Sequence, residues 1–205
     1  MKRKGMLLII SGPSGAGKGT VCKALLAKHN ELVLSISMTT RAPRENEIDG
    51  VHYFFETKDK FMKLIGEGEF LEYAVVHGRD FYGTPKRFVT EQLEAGNDVV
   101  LEIDVEGAMQ VKNSFKNGIF VFIMPPTFNE LKNRLIGRGT ESEEAIERRL
   151  KTAAFELQNV NKYDYVVIND VVENAVDCVE TILKAECYTV GRNKEVIDEF
   201  IGGVL

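Results

Sequence analysis

An α/β fold with a mostly parallel sheet is what this sequence predicts, and three observations predict it. Apolar runs recur at 6–10, 98–104, 118–124 and 163–169. Helix-like stretches alternate with them. The first run leads directly into a glycine-rich loop, which opens onto an amphipathic stretch. Continuous apolar runs suit strands buried on both faces, and their alternation with helices argues for parallel pairing.

The elements follow in order. "MKRKGMLLII" has the basic start and apolar run of a signal peptide, but the run is short and enters the loop at once, so it reads as a first strand. A helix over 20–29, "TVCKALLAKH", comes after the loop. Residues 35 to 96 break the alternation. They carry short alternating strands, "VHYFFE" and "FLEYAVVHGRDFYG", with one helix between, which suggests a small mixed α+β insertion. Strands "DVVLEID" and "GIFVFIM" resume the core, then come a helix over 128–136 and another over 143–160. Between these helices lies "GRGTESEE", where Thr140 and Glu143 form a capping box. Arginines on such a segment suit a lid that closes over phosphates, and a solvated surface loop fits the composition equally. "YDYVVIN" is the last strand. The tail "RNKEVIDEFIGGVL" has helical periodicity and could pack on the core or on a second subunit, leaving the oligomeric state open.

Composition narrows the class. With 205 residues, 44% apolar and 28% charged, the chain suits one globular domain. A net charge of −5 argues against a nucleic-acid or membrane-surface binder, although basic residues cluster locally in "RAPR" and "KNRLIGRG". No segment has the apolar length to span a bilayer. Cys22, Cys178 and Cys187 lack metal-ligand spacing, as do the scattered histidines, so buried or inert thiols and a cytoplasmic location are expected.

The stretch "SGPSGAGKGT" has the spacing of a phosphate-binding loop, Gly12, four residues, then Gly17 and Lys18. Consecutive backbone N–H groups must converge on one anion, which requires glycine where side chains would block it. A helix N-terminus reinforces them, and Lys18 brings a mobile charge to the β and γ oxygens. Gly12, Pro13, Ser14, Gly15, Ala16, Gly17, Lys18, Gly19 and Thr20 therefore form a candidate ATP site. Position 19 departs from the usual pattern. Serine or threonine there gives magnesium a hydroxyl; Gly19 cannot, and Thr20 can only serve the phosphates. Magnesium is then held by nucleotide oxygens and water, with no direct protein ligand.

Further motifs appear in order: "SISMTTRAPRENEIDGVHYFF", "FLEYAVVHGRDFYGTP", "LEIDVEG", "LIGRGTESEE" and "VVIND". Together with the loop they resemble the guanylate kinase family over residues 6 to 188. The resemblance implies a P-loop NTPase-type parallel core, 1–36 and 97–205, with a GMP-binding insertion at about 37–96 and a lid at about 137–147. By the same resemblance Arg41 and Arg44 grip the GMP phosphate with Tyr53 and Tyr82. Ser37, Glu72, Thr84 and Asp104 read the guanine. Arg134, Arg138 and Arg149 meet the transferring phosphoryl group beside Lys18, and Asn169 contacts adenine. An outer-sphere magnesium role falls to Glu102 and Asp104; Glu102 stands where many relatives have aspartate. "HGRDFYG" is one residue longer than the commoner form of that loop.

Chemistry supports these roles. Paired arginine forks suit a phosphate dianion. An ionised Glu72 only accepts, so it suits the N1–H and amino group of guanine and repels the unprotonated N1 of adenine; such sites reject analogues by roughly 10⁴ to 10⁵. Blander roles also fit single residues: surface arginines, core tyrosines, Thr84 as a helix N-cap before Pro85, and Glu72 facing solvent under strand alternation. The implied reaction is ATP + GMP ⇌ ADP + GDP, with dGMP a further candidate substrate. A non-catalytic phosphopeptide-binding relative and a kinase of another monophosphate are the alternatives. The first usually has an eroded phosphate loop, whereas this chain keeps its glycines and Lys18.

Overall fold

The computed structural model describes residues 4–76, 78–137 and 143–203. In chain order these hold β1 (Leu7–Ser11), α1 (Lys18–Lys28), β2 (Leu32–Leu34), β3 (Met38–Thr39) and β4 (Phe54–Phe55). Next come α2 (Lys58–Gly66), β5 (Phe70–Val76), β6 (Asp80–Pro85) and α3 (Lys86–Ala95). The chain continues through β7 (Asp98–Glu102), α4 (Val105–Ser114), β8 (Ile119–Met124), α5 (Phe128–Ile136) and α6 (Glu143–Leu157). It finishes with β9 (Tyr165–Ile168), α7 (Val172–Glu186) and α8 (Lys194–Gly202).

All five apolar strands of the main sheet run parallel, in the order β2-β7-β1-β8-β9. Every residue of β1 is buried. Period-two geometry divides its side chains between two cores. Leu8 and Ile10 join one formed with α1 and α7, whereas Leu7 and Ile9 join another formed with α3 and α4. The central position of β1 carries the glycine-rich loop to the carboxyl edge of the sheet, where open α/β sheets bind ligands.

A second sheet, in the order β4-β3-β6-β5, is antiparallel at β3–β6 and β5–β6 and parallel at β3–β4. Phe61 of α2 is fully buried against it and stacks on Phe70, with ring centroids 4.3 Å apart. The Gln110 side chain of α4 ties β5 to the core by two hydrogen bonds: Tyr73 N donates to its Oε1 at 3.1 Å, and its Nε2 donates to Tyr73 O at 3.0 Å.

Several expectations are corrected. The strand expected over 51–56 shrinks to Phe54–Phe55, and the region 35–96 holds a second helix, α3, besides α2. Thr84 does not cap α3. It lies within β6, Pro85 takes the cap position without any side-chain cap, and the Thr84 hydroxyl turns to Glu72 instead. Glu72 does not face solvent: it lies on the inward face of β5, opposite the exposed Tyr73 and Val75, and a register shift against β6 falls just before it. Cys22 is buried, in keeping with the expectation of buried or inert thiols, and Cys178 is exposed. The tail forms α8, which leaves Phe200 and Val196 exposed. The capping box at Thr140 lies outside the described residues.

Candidate active site

The loop between β1 and α1 is built around glycines that nothing else replaces. Gly12 has φ +146°, and a Cβ there would stand 2.1 Å from the Ile123 carbonyl oxygen. Gly17 caps α1 in the left-handed region, and its Cβ would lie 2.4 Å from Asn169 Nδ2. Close approach and positive φ both demand glycine. Among the described residues no side chain caps the start of α1, so no side chain competes with an anion there.

Lys18 folds back on this loop. Its ammonium donates to Gly12 O at 2.7 Å and to Pro13 O at 3.2 Å. Burial lowers its pKa, opposed by the carboxylates of Glu156, Glu102 and Asp104. Burial likewise raises Glu102 and Glu156. A cavity of about 350 Å³ opens here, lined by Ser14, Gly15, Gly17, Lys18, Gly19, Thr20 and Glu102.

The helices beyond β8 and before β9 hold the loop from the other side. Asn169, buried at the end of β9, donates from Nδ2 to Ala16 O at 2.8 Å. Arg134 of α5 donates to Asn169 O at 2.9 Å, and its Nε to Glu130 at 2.8 Å. Two α6 side chains meet Ser14: Arg149 donates to its hydroxyl at 3.1 Å, and Glu156 accepts from its backbone N–H at 3.3 Å. Lys18, Arg134, Arg149 and Asn169 thus converge on one loop. Arg138 lies outside the described residues.

A second constellation lies on the smaller sheet. Arg41 donates from Nε to the Tyr82 hydroxyl at 3.0 Å and reaches Glu47 with both terminal nitrogens, each at 2.9 Å. Its guanidinium lies 5.4 Å from the Tyr53 ring centroid, and Tyr53 meets Tyr82 edge-on at 5.9 Å. Glu47 also accepts from Arg44 N at 2.7 Å. Hydrogen bonds from Arg41 hold its carboxyl down to about 2. The Arg44 residue is exposed, and Ser37 stands at the start of β3, where its carbonyl accepts from Phe54 N.

Between the two sheets the carboxylates of Glu72 and Asp104 come close to one another. Glu72 is 8% exposed and accepts from the Thr84 hydroxyl at 2.6 Å. Burial pushes its carboxyl up to about 7, with Asp104 adding to the shift and Thr84 opposing it. Asp104 caps α4 by accepting from Gly107 N at 2.7 Å. A Cβ on Gly107 would stand 3.0 Å from Glu72 Oε2 and 3.3 Å from Asp104 Oδ1, so both carboxylates face the same space. Because Asp104 also acts on Lys18, this space neighbours the phosphate loop. Glu47, Glu156 and Gly107 were not expected from sequence. Glu47 and Glu156 look like ordinary surface acids there, and only Gly107, which ends the "LEIDVEG" motif, offers a local hint.

A parallel sheet with a glycine-built anion loop at its carboxyl edge, beside a buried carboxylate, defines a phosphate-loop nucleotide-binding protein. Comparison with known proteins narrows the class. A family model described as guanylate kinase matches residues 4–186, and the chain belongs to that family. It is 55% identical to the guanylate kinase of Caldanaerobacter subterraneus subsp. tengcongensis over 196 residues, which are 96% of this chain and 95% of that one. Against the guanylate kinase of Clostridium acetobutylicum it is 50% identical over 205 residues, 100% of this chain and 97% of the other. The crystal structure of guanylate kinase from Anaplasma phagocytophilum superposes with a TM-score of 0.73 at 34% identity, covering 94% of this chain and 91% of that one.

Proposed function

We propose that this chain transfers the γ-phosphoryl group of ATP to GMP, giving ADP and GDP, as its family membership implies. The observation that carries the choice of acceptor is Glu72. Among the described residues Glu72 is a buried carboxylate whose donors come from Thr84 and not from a cation, an arrangement that stays costly unless a ligand supplies more, and the N1–H and amino group of guanine supply two. Thr84 donates to Glu72 in the free protein and turns to the guanine O6 when the base arrives. Asp104 faces the same space and completes the reading of the base.

The phosphate of GMP lies at Arg41, Arg44, Tyr53 and Tyr82, while Ser37 joins Glu72, Thr84 and Asp104 in reading the guanine. One oxygen of that phosphate attacks the γ-phosphorus as the bond to the ADP oxygen breaks. The attacking oxygen is already anionic, so no general base is required. Catalysis rests on alignment and on charge neutralisation by Lys18, Arg134, Arg138 and Arg149. Lys18 leaves the Gly12 and Pro13 carbonyls to follow the β and γ oxygens.

Magnesium, carried in on the ATP, supplies further neutralisation of the phosphate charge. The residues present fit it: Glu102 directs a carboxylate into the loop cavity and accepts no hydrogen bond from the described residues, while Asp104 lies close by. The working division is a core of 1–36 and 97–205, a GMP-binding insertion at about 37–96 and a lid at about 137–147. Among the described residues no helix is long and apolar enough to cross a membrane. A cytoplasmic enzyme is the reading that suits Cys22 and Cys178 as unoxidised thiols.

The test is ADP formation from ATP and magnesium with GMP, dGMP, AMP, UMP or dTMP supplied in turn. Activity confined to the guanine nucleotides, and lost in a folded Lys18→Ala variant, is expected. Phosphorylation of AMP or a pyrimidine nucleotide instead would show that the role of Glu72 has been misread. GMP binding without any ADP formation would favour a non-catalytic relative.

A further inference from the structure

Gly19 has no conformational reason to be glycine. It lies in the first turn of α1 and is absent from the residues with positive φ. Glycine is a poor helix residue, so another cause must hold it there. What a side chain would meet is Glu102. A Cβ on Gly19 would stand 3.1 Å from its Oε1, 3.6 Å from Oε2 and 3.8 Å from Cδ, and these are the three nearest heavy atoms. Glu102 closes β7 in register with Ile10 of β1, so the sheet delivers its carboxylate to the loop. Its charged neighbour is Lys18. A carboxylate in a phosphate cavity repels the ligand unless a cation comes between them.

We propose that Gly19 and Glu102 are a matched pair. Glycine vacates the place where a phosphate-loop hydroxyl would stand, and the longer glutamate side chain fills it. Glu102 then holds the nucleotide-bound divalent cation through its water shell, replacing a direct hydroxyl ligand. The idea rests on the nucleotide-kinase reading above. It adds that positions 19 and 102 are coupled: a shorter acid at 102 requires a hydroxyl at 19, and the longer acid excludes one.

Four proteins test the coupling: wild type, Glu102→Asp, Gly19→Ser and the double variant. The probe is Mn²⁺, whose binding to each protein–ADP complex is read by electron paramagnetic resonance. ADP affinity in the presence of a chelator is measured in parallel. Glu102→Asp is expected to weaken Mn²⁺ binding about tenfold, the size of loss typical when an outer-shell partner is removed. Metal-free ADP affinity should stay within about twofold. Gly19→Ser should also weaken Mn²⁺, because hydroxyl and carboxylate crowd each other. The double variant should recover to within about threefold of wild type, since distance-coupled sites are non-additive.

An Mn²⁺ affinity in Glu102→Asp within about twofold of wild type would overturn the proposal, as would a double variant showing the full product of both losses. If Glu102→Asp also loses metal-free ADP binding, Glu102→Gln decides, since it keeps the reach and removes the charge. Weaker Mn²⁺ with normal metal-free ADP binding then supports the pair, and unchanged Mn²⁺ overturns it. A wild-type protein that takes up no Mn²⁺ with ADP overturns the pair too. GMP phosphorylation by wild type is assayed separately, so failure of the pair is distinguishable from failure of the kinase reading.

Discussion

Replacing Glu72 by glutamine should stabilise the protein at pH 8 while destroying its use of GMP. Burial lifts the Glu72 carboxyl from 4.5 to about 7. At roughly 1.4 kcal/mol per pH unit, keeping this group ionised in the fold costs about 3 kcal/mol. The folded-state pKa lies above the unfolded one, so the cost is absent well below pH 4.5, grows as pH rises towards 7, and is complete above it. Glutamine has the same shape, can still accept from Thr84 and carries no charge. For a chain of this length, about 3 kcal/mol corresponds to a rise in melting temperature of roughly 6–12 °C at pH 8. At pH 5 only about a quarter of the gain, roughly 0.8 kcal/mol, should remain. The assay is thermal unfolding of both proteins at the two pH values, followed by ADP formation with GMP at pH 8. A gain of the same size at both pH values, or a Glu72→Gln protein less stable than wild type at pH 8, would refute the reasoning. Retained GMP turnover would refute the assigned role.

Other outcomes follow from the same geometry. Glu47→Gln removes the carboxylate that holds the Arg41 fork, so the KM for GMP should rise about tenfold while that for ATP stays unchanged, as steady-state kinetics would show. Because Arg41 holds the Glu47 carboxyl down to about 2, the pair's stabilisation is present above pH 4.5 and disappears as pH falls through about 2; an acid titration followed by NMR of the Glu47 carboxyl should show this. Asn169→Ala leaves the Ala16 carbonyl without its closest donor and should cost about 2 kcal/mol, a fall of roughly 4–8 °C in melting temperature. Iodoacetamide should label exposed Cys178 in the folded protein, whereas Cys22, whose thiol is pushed up by burial, should stay unlabelled until unfolding, as mass spectrometry would reveal.

The parallel core was legible because its signal is local: unbroken apolar runs, regular alternation with helices, and a loop whose glycines have fixed jobs. The smaller sheet was harder to read. Its strands β3 and β4 are only two residues long, too short for periodicity to register. Edge strand β2 is three residues and its exposure is mixed. Glu72 shows the physical limit most clearly. Alternation counted along the mostly apolar "FLEYAVV" permits a solvent-facing glutamate, and only the packing of β5 decides that the face of Tyr73 and Val75 is the exposed one and that of Glu72 the inward one. Thr84 before Pro85 satisfies the local rule for a helix start, yet a buried carboxylate across the strand pair outcompetes the cap for its hydroxyl. Glu47 and Glu156 act through partners 6 and 142 residues away, and composition carries no trace of such distances.

The contacts made by Lys18 have a consequence for selectivity. In the free loop its ammonium is already solvated by two carbonyls of its own backbone. Phosphate binding is therefore an exchange of partners, not the capture of a bare cation. A lone oxyanion can meet the converging loop amides, but it must displace both carbonyls to gain Lys18. A nucleoside triphosphate engages the loop amides, Lys18 and the arginines together. The loop should accordingly favour the nucleotide strongly over smaller anions, because only the nucleotide gathers all of these partners at once.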